Sequence, residues 1–142
     1  MKRRQLLGLA LAAGLAPASL VRAQGSFPSK PIRLVVPFPP GGPTDIFARQ
    51  YGQRLGVVLG QQVIIDNKAG ASGAIGSMEV MRASPEGHTL LFGTASTHAL
   101  YNLINDKAQY DSLRDFAPVA IVGGAAVVIV AHPSLPPTLR GV

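Results

Sequence analysis

Residues 32–45 read IRLVVPFPPGGPTD, and this stretch decides the fold class. Its first five residues (IRLVV) form a short run rich in branched side chains and bounded by prolines, as is typical of a buried strand. A segment dense in proline and glycine follows, and Pro43 or Thr44 suits the first position of a helix. The stretch therefore predicts a buried strand, a tight loop and the start of a helix.

The helix that we predict extends from Thr44 to Leu59, where apolar residues recur at steps of three and four. This spacing stacks one set of side chains on a single helical face. The set is Phe47, Tyr51, Leu55 and Val58 or Leu59. Gly60 then ends the helix, as glycine commonly does.

Strands and helices continue to alternate after Gly60. We predict a second strand at residues 62–66 (QVIID), a second helix at 72–83 that stops before Pro85, and a third strand at 89–92 (TLLF). Parallel strands need helix-sized connections, so this order predicts an α/β fold with a mainly parallel sheet flanked by helices.

The pattern is weaker beyond Thr94. A short helix is expected at 98–104, followed by a polar connection and two apolar stretches that suit strands, at 118–122 and 126–131. The chain then runs into residues 132–137 (HPSLPP), which have the composition of a loop or linker.

Residues 1–23 have the features of a cleaved export signal. A basic cluster leads into an apolar stretch from Leu6 to Leu20, too short to cross a bilayer, and residues 21–23 (VRA) offer a cleavage site. The pair Arg3-Arg4 suits either the twin-arginine route or the general secretory route. Both routes place the mature chain outside the cytoplasm.

Composition excludes nucleic acid as a partner. The export signal carries four of the thirteen basic residues, and the remainder of the chain has no run of basic residues and few aromatics. Nucleic-acid binding needs a clustered basic face. Cysteine is absent and does not by itself identify a compartment.

Three loops follow the three predicted strands, and in open α/β sheets the carboxyl ends of the strands are where ligands bind. Gly41 and Gly42 let the backbone approach an anion at the start of the first helix. Asp45 is either an acid favoured in the first helical turn or an orienting residue, and Ser72 is either a helix N-cap or a ligand contact.

Catalytic motifs in the sequence are weak. The sequence contains no G-x-S-x-G elbow and no phosphate-binding P-loop, and its three histidines lack metal-ligand spacing. We read His88 as a turn residue and His132 as part of a linker, and we expect no cofactor. An enzyme remains the second hypothesis: a hydrolase or transferase that uses Ser72 or Ser96 with His98.

Several motifs in the same order resemble the Bug family, the extracytoplasmic receptors of tripartite tricarboxylate transporters. They are residues 28–45 (PSKPIRLVVPFPPGGPTD), 60–63 (GQQV), 67–76 (NKAGASGAIG), 85–91 (PEGHTLL), 110–111 (YD), 115–119 (DFAPV) and 132–134 (HPS). The resemblance spans nearly all of the chain after the export signal.

The resemblance implies a two-lobed Venus-flytrap receptor, without catalysis, in which loops of the first lobe grip a carboxylate. It implies that a small carboxylate-bearing ligand is passed to membrane transporter subunits or to a sensor. The ligand-binding residues that it implies are Phe38, Pro39, Pro40, Gly41, Gly42, Pro43, Thr44, Asp45, Ala71, Ser72, Gly73, Thr94, Ser96, Thr97 and His98.

The domain boundaries that follow are an extended segment at 24–31, a first lobe at 32–116, and a crossover with the start of a second lobe at 117–142. Because family members continue for roughly another lobe, the chain is expected to be an amino-terminal fragment or a truncated product. A fragment without function is the third hypothesis.

Overall fold

The computed structural model of the protein describes residues 26–124 together with Val130, His132 and Ser134. The predicted export signal lies outside the described residues. So does the predicted strand at 126–131, apart from Val130.

Three strands and three α-helices alternate along the described chain. They are β1 (Ile32–Val36), α1 (Pro43–Leu59), β2 (Val63–Asn67), α2 (Ala74–Met81), β3 (Thr89–Leu91) and α3 (Tyr101–Ile104). A 3₁₀ turn, Ala71–Gly73, precedes α2, and a π-helical turn, Ser96–Leu100, precedes α3. The strands are parallel, in the order β2-β1-β3. The predicted α/β class with a parallel sheet is confirmed.

The register of the sheet brings the carboxyl ends of its strands to one edge. Leu34 in β1 pairs with Ile65 in β2 and with Leu90 in β3. Pairing continues past the strands, because the Lys68 N–H donates to the Val36 carbonyl at 2.8 Å and the Phe92 N–H donates to the Val35 carbonyl at 2.9 Å. Three loops therefore leave the sheet together: loop 1 (residues 37–42), loop 2 (68–73) and loop 3 (92–97).

Helices cover both faces of the sheet, and β1 is buried between them. On one face α1 contributes to a cluster of Leu34, Val36 and Ala48, joined by Val63, Ile65, Leu90 and Phe92. On the other face lies a cluster of Ala74, Tyr101 and Tyr110, joined by Met78, Met81, Ala108 and Phe116. A strand enclosed on both faces is rich in apolar residues, and in β1 Arg33 alone departs from that pattern, which is why residues 32–36 were recognisable.

Helix α1 matches the predicted bounds to within one residue but packs through a different face. It starts at Pro43, and Gly60 ends it in the left-handed conformation, with φ 64°. The buried residues are Asp45, Ala48 and Gly52, whereas Phe47 is 56% exposed. A methyl group on Gly52 would lie 3.0 Å from Ile65 Cδ1, so small residues let the helix approach β2 closely.

Other predicted boundaries shift by a few residues. Strand β2 lies one residue later than predicted, and β3 ends at Leu91 rather than Phe92. The helix predicted at 72–83 is α2, and its N-cap is Gly73, so the N-cap reading of Ser72 is wrong. The helix predicted at 98–104 is divided between the π-helical turn and α3.

The strand predicted at 118–122 is not observed. Residues 117–124 have no regular secondary structure. Val119 is 83% exposed and Ile121 is 96% exposed. A strand needs a neighbour to accept its hydrogen bonds, and the segment pairs with none of the strands in the described sheet.

Across the described residues, we find no helix that is both long and apolar enough to cross a membrane.

Candidate ligand-binding site

The three loops meet at Gly73. A methyl group built on its Cα would lie 2.5 Å from Thr97 Cγ2 in loop 3, 3.4 Å from Pro37 Cβ and 3.5 Å from Phe38 Cζ in loop 1. Gly73 also has φ 91°, a conformation that favours glycine. The structure therefore brings together the three predicted loops at one edge of the sheet.

The amino end of α1 faces this edge with free backbone donors. Gly42 is the N-cap in an extended conformation and Pro43 has no N–H. The first bond of the helix runs from the Ile46 N–H to the Gly42 carbonyl, at 3.0 Å. The N–H groups of Thr44 and Asp45 precede that bond, and within residues 26–124 they have no protein acceptor. Together with the helix dipole, they favour an anion here.

Loop 1 owes its shape to Gly41, which has φ 83°. Its N–H donates to Asp45 Oδ2 at 2.9 Å. This donor is thus engaged within the protein and is not available to a ligand.

Asp45 is buried, with 2% of its surface exposed. Arg49 Nε donates to Asp45 Oδ2 at 2.9 Å. This contact and the Gly41 N–H lower the pKa of Asp45 from 3.8 to about 2, against the opposing effect of burial, and Asn67 contributes further. Both readings of Asp45 fit: it lies in the first helical turn, and it orients loop 1.

Arg49 and Asn67 are the residues of this network that the sequence analysis missed. Asn67 Nδ2 donates to Asp45 Oδ1 at 3.0 Å, and Arg49 Nη2 donates to Asn67 Oδ1 at 3.2 Å. The available signals were the i,i+4 spacing of Asp45 and Arg49, and the position of a polar side chain at the end of the second strand.

Loop 2 contains an unusual backbone. Four consecutive residues have positive φ: Gly70 (133°), Ala71 (47°), Ser72 (55°) and Gly73 (91°). Ala71 and Ser72 pay a steric cost for this conformation, of about 1–2 kcal/mol each. Strained backbone is concentrated at ligand-binding and catalytic sites, and both residues are exposed.

Loop 3 is held by its own threonine. Thr97 is fully buried, and its hydroxyl accepts from the Thr94 N–H at 2.9 Å and donates to the Thr94 carbonyl at 3.0 Å. The Tyr110 hydroxyl donates to the Thr97 carbonyl at 2.7 Å. Thr94 Oγ1 is buried without a partner among the described atoms, whereas Ser96 is exposed.

His98 turns toward an aromatic cluster. Its ring lies edge-on to Phe116, with centroids 4.8 Å apart, and Nδ1 lies 2.9 Å from Thr97 Oγ1. Burial lowers the pKa of His98. In the described part of the chain, neither Ser72 nor Ser96 hydrogen-bonds to His98, so the geometry does not assemble the serine–histidine pair of the enzyme hypothesis.

His88 lies at the opposite end of β3, immediately after Gly87, which has φ 80°. Its ring packs against Phe27 with centroids 4.9 Å apart, far from the loops in the sheet topology. The described residues contain no group of three or more acidic or histidine side chains that is placed to hold a metal ion.

A parallel sheet whose loops converge beside a helix amino end defines the chain as an α/β lobe, in a fold class that binds ligands at the carboxyl ends of its strands. Residues 47–139 match the family described as the tripartite tricarboxylate transporter family receptor, TctC. The chain belongs to this family. The resemblance drawn from the sequence is confirmed.

Two relatives show the extent of the similarity. A UPF0065 protein from Pseudomonas sp. strain P51 is 41% identical over 91% of this chain. Protein BugT from Bordetella pertussis is 39% identical over 78% of it. The chain spans 38% and 34% of the lengths of these two relatives, respectively.

Solved structures share the fold at substantial identity. MatC from Rhodopseudomonas palustris with bound malate is 41% identical, with a TM-score of 0.62, over 66% of this chain and 32% of that protein. A second R. palustris protein, solved with adipate, is 38% identical with a TM-score of 0.59, over 61% and 29%. A periplasmic transporter is 49% identical with a TM-score of 0.60, over 61% and 29%.

Proposed function

We propose that this chain supplies the carboxylate-binding lobe of an extracytoplasmic solute receptor, which binds a small carboxylate-bearing molecule without transforming it. The observation that carries the proposal is the convergence of loops 1, 2 and 3 beside the amino end of α1, where the N–H groups of Thr44 and Asp45 have no acceptor among residues 26–124. A carboxylate is a small anion that such backbone donors bind well.

The predicted loop residues have different roles in this proposal. The start of α1 offers backbone N–H groups, loop 2 presents the exposed Ala71 and Ser72, and Thr94 offers a buried hydroxyl without a partner in the described chain. Thr97 and His98 support loop 3, because Thr97 Oγ1 bonds to the Thr94 backbone and lies 2.9 Å from His98 Nδ1.

The comparisons support this ligand class. Two solved structures that share the fold hold malate and adipate, both of which are dicarboxylates. The family is described as receptors, which supports binding without catalysis and a transporter as the recipient of the ligand. A sensor in place of the transporter is the alternative recipient.

Location follows from the same family. A periplasmic transporter shares the fold, and residues 1–23 have the composition of an export signal cleaved near Ala23. We propose that the chain functions in the periplasm. Replacing Arg3 and Arg4 by Lys tests the route: loss of export from cells with a working general secretory system supports the twin-arginine signal, and normal export contradicts it.

Calorimetric titration with malate and with adipate tests the binding function, with the neutral diamide of malate as the control. We expect one or both dicarboxylates to bind and the diamide to bind at least about tenfold more weakly, since hydrogen bonds to charged groups are worth about 1.5–3 kcal/mol. Equal binding of malate and its diamide would contradict a carboxylate site. Chemical conversion of either ligand during the titration would favour the enzyme hypothesis instead.

A further inference from the structure

Asn67 ends β2 and projects its amide between two elements of the site. Nδ2 donates to Asp45 Oδ1 at 3.0 Å and to the Phe38 carbonyl at 3.1 Å, while Oδ1 accepts from Arg49 Nη2 at 3.2 Å. Two acceptors therefore face the NH₂ group and one donor faces the oxygen. A flipped amide would oppose like groups at all three contacts, so this orientation is fixed by its neighbours.

Asp45 completes the same network from the α1 side. Its Oδ2 accepts from the Gly41 N–H at 2.9 Å and from Arg49 Nε at 2.9 Å. Loop 1 is thus held at two backbone groups three residues apart, the Phe38 carbonyl and the Gly41 N–H. One tether comes from the end of β2 and the other from the first turn of α1.

The charges of the network suit a neighbouring anion. A buried carboxylate beside an anion site repels the ligand unless its charge is compensated. Here Arg49 pairs with Asp45, and the Gly41 N–H also donates to it. The pair leaves the N–H groups of Thr44 and Asp45 to the ligand, because the carboxylate uses other donors.

We propose that Asn67 and Asp45 are positioning residues that hold loop 1 in fixed register with the end of β2, where loop 2 begins. Neither side chain contacts the ligand. Their joint effect is to set the location at which the donors of the α1 start and the exposed residues of loop 2 meet one carboxylate. This inference rests on the proposed function, and part of its test is independent of ligand binding.

Asn67→Asp is the principal variant, because it keeps the size of the side chain and removes the two donated hydrogen bonds. Asn102→Asp is the matched control. Asn102 likewise ties two backbone groups, with Nδ2 donating to the Tyr110 carbonyl at 2.5 Å and Oδ1 accepting from the Ser112 N–H at 3.2 Å. It lies outside the three loops.

Three quantities are measured on each variant: the melting temperature, the affinity for malate, and the hydrogen-exchange rate of the Gly41 amide by NMR without ligand. We expect Asn67→Asp to weaken malate binding by about tenfold or more and to speed Gly41 exchange by a similar factor. We expect Asn102→Asp to lower the melting temperature while both other quantities stay within about twofold.

The double variant Asp45→Asn/Asn67→Asp separates positioning from stability. It restores a hydrogen bond between the two side chains but still leaves the Phe38 carbonyl without its donor. We expect it to recover melting temperature relative to Asn67→Asp and to remain weak in malate binding. If the double variant recovered malate affinity to the same extent as melting temperature, the positioning role would be overturned. A pair that only stabilises the fold would restore both quantities together.

Measurements on the unsubstituted protein test the proposed role of Asn67 even if Asn67→Asp does not fold. The side-chain amide protons of Asn67 should exchange slowly, because both are bonded. Exchange at the rate of a free amide would overturn the proposal. If the unsubstituted protein binds neither malate nor adipate, the proposed function fails, whereas the Gly41 and Asn67 exchange rates still test the pair.

Discussion

Gly73 and Thr97 lie so close that a single added methyl group on Gly73 would come within 2.5 Å of Thr97 Cγ2. The two residues belong to loops that follow β2 and β3, which lie on opposite sides of β1 in the sheet. Loop 2 therefore crosses the end of β1 and touches both neighbouring loops. This contact makes the three loops one structural unit rather than three separate turns.

The first prediction concerns this contact. Gly73→Ala should lower the free energy of unfolding by about 2–4 kcal/mol, because it adds a steric clash to the cost of positive φ in a residue with a side chain. Gly60→Ala is the control: Gly60 has φ 64° and nothing within 4 Å of the added methyl group, so about 1–2 kcal/mol is expected. Denaturant unfolding measures the free energy of unfolding of both variants. Equal losses in Gly73→Ala and Gly60→Ala would contradict the close packing of Gly73 against Thr97.

The sequence predicted the three strands of the described sheet to within one residue, because each consists largely of branched or apolar residues. Residues 32–36 were identified to the residue, and the position of the loops follows from parallel topology alone. The Asp45–Asn67 contact could not be predicted in this way. It joins residues 22 positions apart, and its existence depends on the rotation of α1 against β2.

That rotation is where the sequence misled. Phe47, Tyr51 and Leu55 recur with helical spacing and form an apolar stripe. Periodicity alone does not distinguish such a stripe from the face that packs against the sheet. The contact with β2 is made instead by small residues, since Gly52 and Gly56 allow closer approach than aromatic side chains do. Close packing at glycine leaves little hydrophobic signal in a sequence.

The second prediction tests the face that α1 buries, with the same substitution at adjacent positions. Ala48 is fully buried and Phe47 is 56% exposed. Ala48→Lys should cost about 3 kcal/mol or more, or prevent folding, because it buries a charge without a partner. Phe47→Lys should cost no more than about 1 kcal/mol. Thermal unfolding of the two variants measures the loss of stability. A larger loss for Phe47→Lys than for Ala48→Lys would show that the aromatic stripe is the packing face.

The third prediction separates the binding loop from the fold. Gly42 has φ −76°, which any residue adopts, and an added methyl group would meet only the Pro39 carbonyl, at 3.6 Å. Gly42→Val should therefore lower the free energy of unfolding by no more than about 1 kcal/mol, the penalty for valine at a helix N-cap. Its side chain would stand beside the free N–H groups of α1, and malate affinity should fall about tenfold to a hundredfold, equivalent to roughly 1.5–3 kcal/mol.

Thr44→Ala is the comparison for Gly42→Val. It keeps the backbone N–H and removes a hydroxyl, so calorimetry should show a smaller loss of malate affinity than for Gly42→Val. If Gly42→Val binds malate like the unsubstituted protein, the backbone of loop 1 and the start of α1 do not grip the ligand.

The fourth prediction is the acid dependence of stability that Asp45 confers. The pKa of Asp45 is about 2 in the folded protein against an ordinary value of 3.8, mainly because Arg49 and the Gly41 N–H stabilise the carboxylate. A depressed pKa means that the folded state releases this proton more readily than the unfolded state does. The contribution to stability is therefore complete above pH 3.8 and disappears as the pH falls through about 2.

Asp45→Asn removes this titration, so its difference in unfolding free energy from the unsubstituted protein should be largest above pH 4 and should shrink toward pH 2. Asp111→Asn is the matched control, since Arg114 and the Leu113 N–H lower the pKa of Asp111 in the same direction, at an exposed site outside the loops. For both variants, the difference in unfolding free energy from the unsubstituted protein should shrink as the pH falls. Only Asp45→Asn should also speed exchange of the Gly41 amide at neutral pH. Parallel stability curves for Asp45→Asn and the unsubstituted protein would contradict an ionised, hydrogen-bonded Asp45.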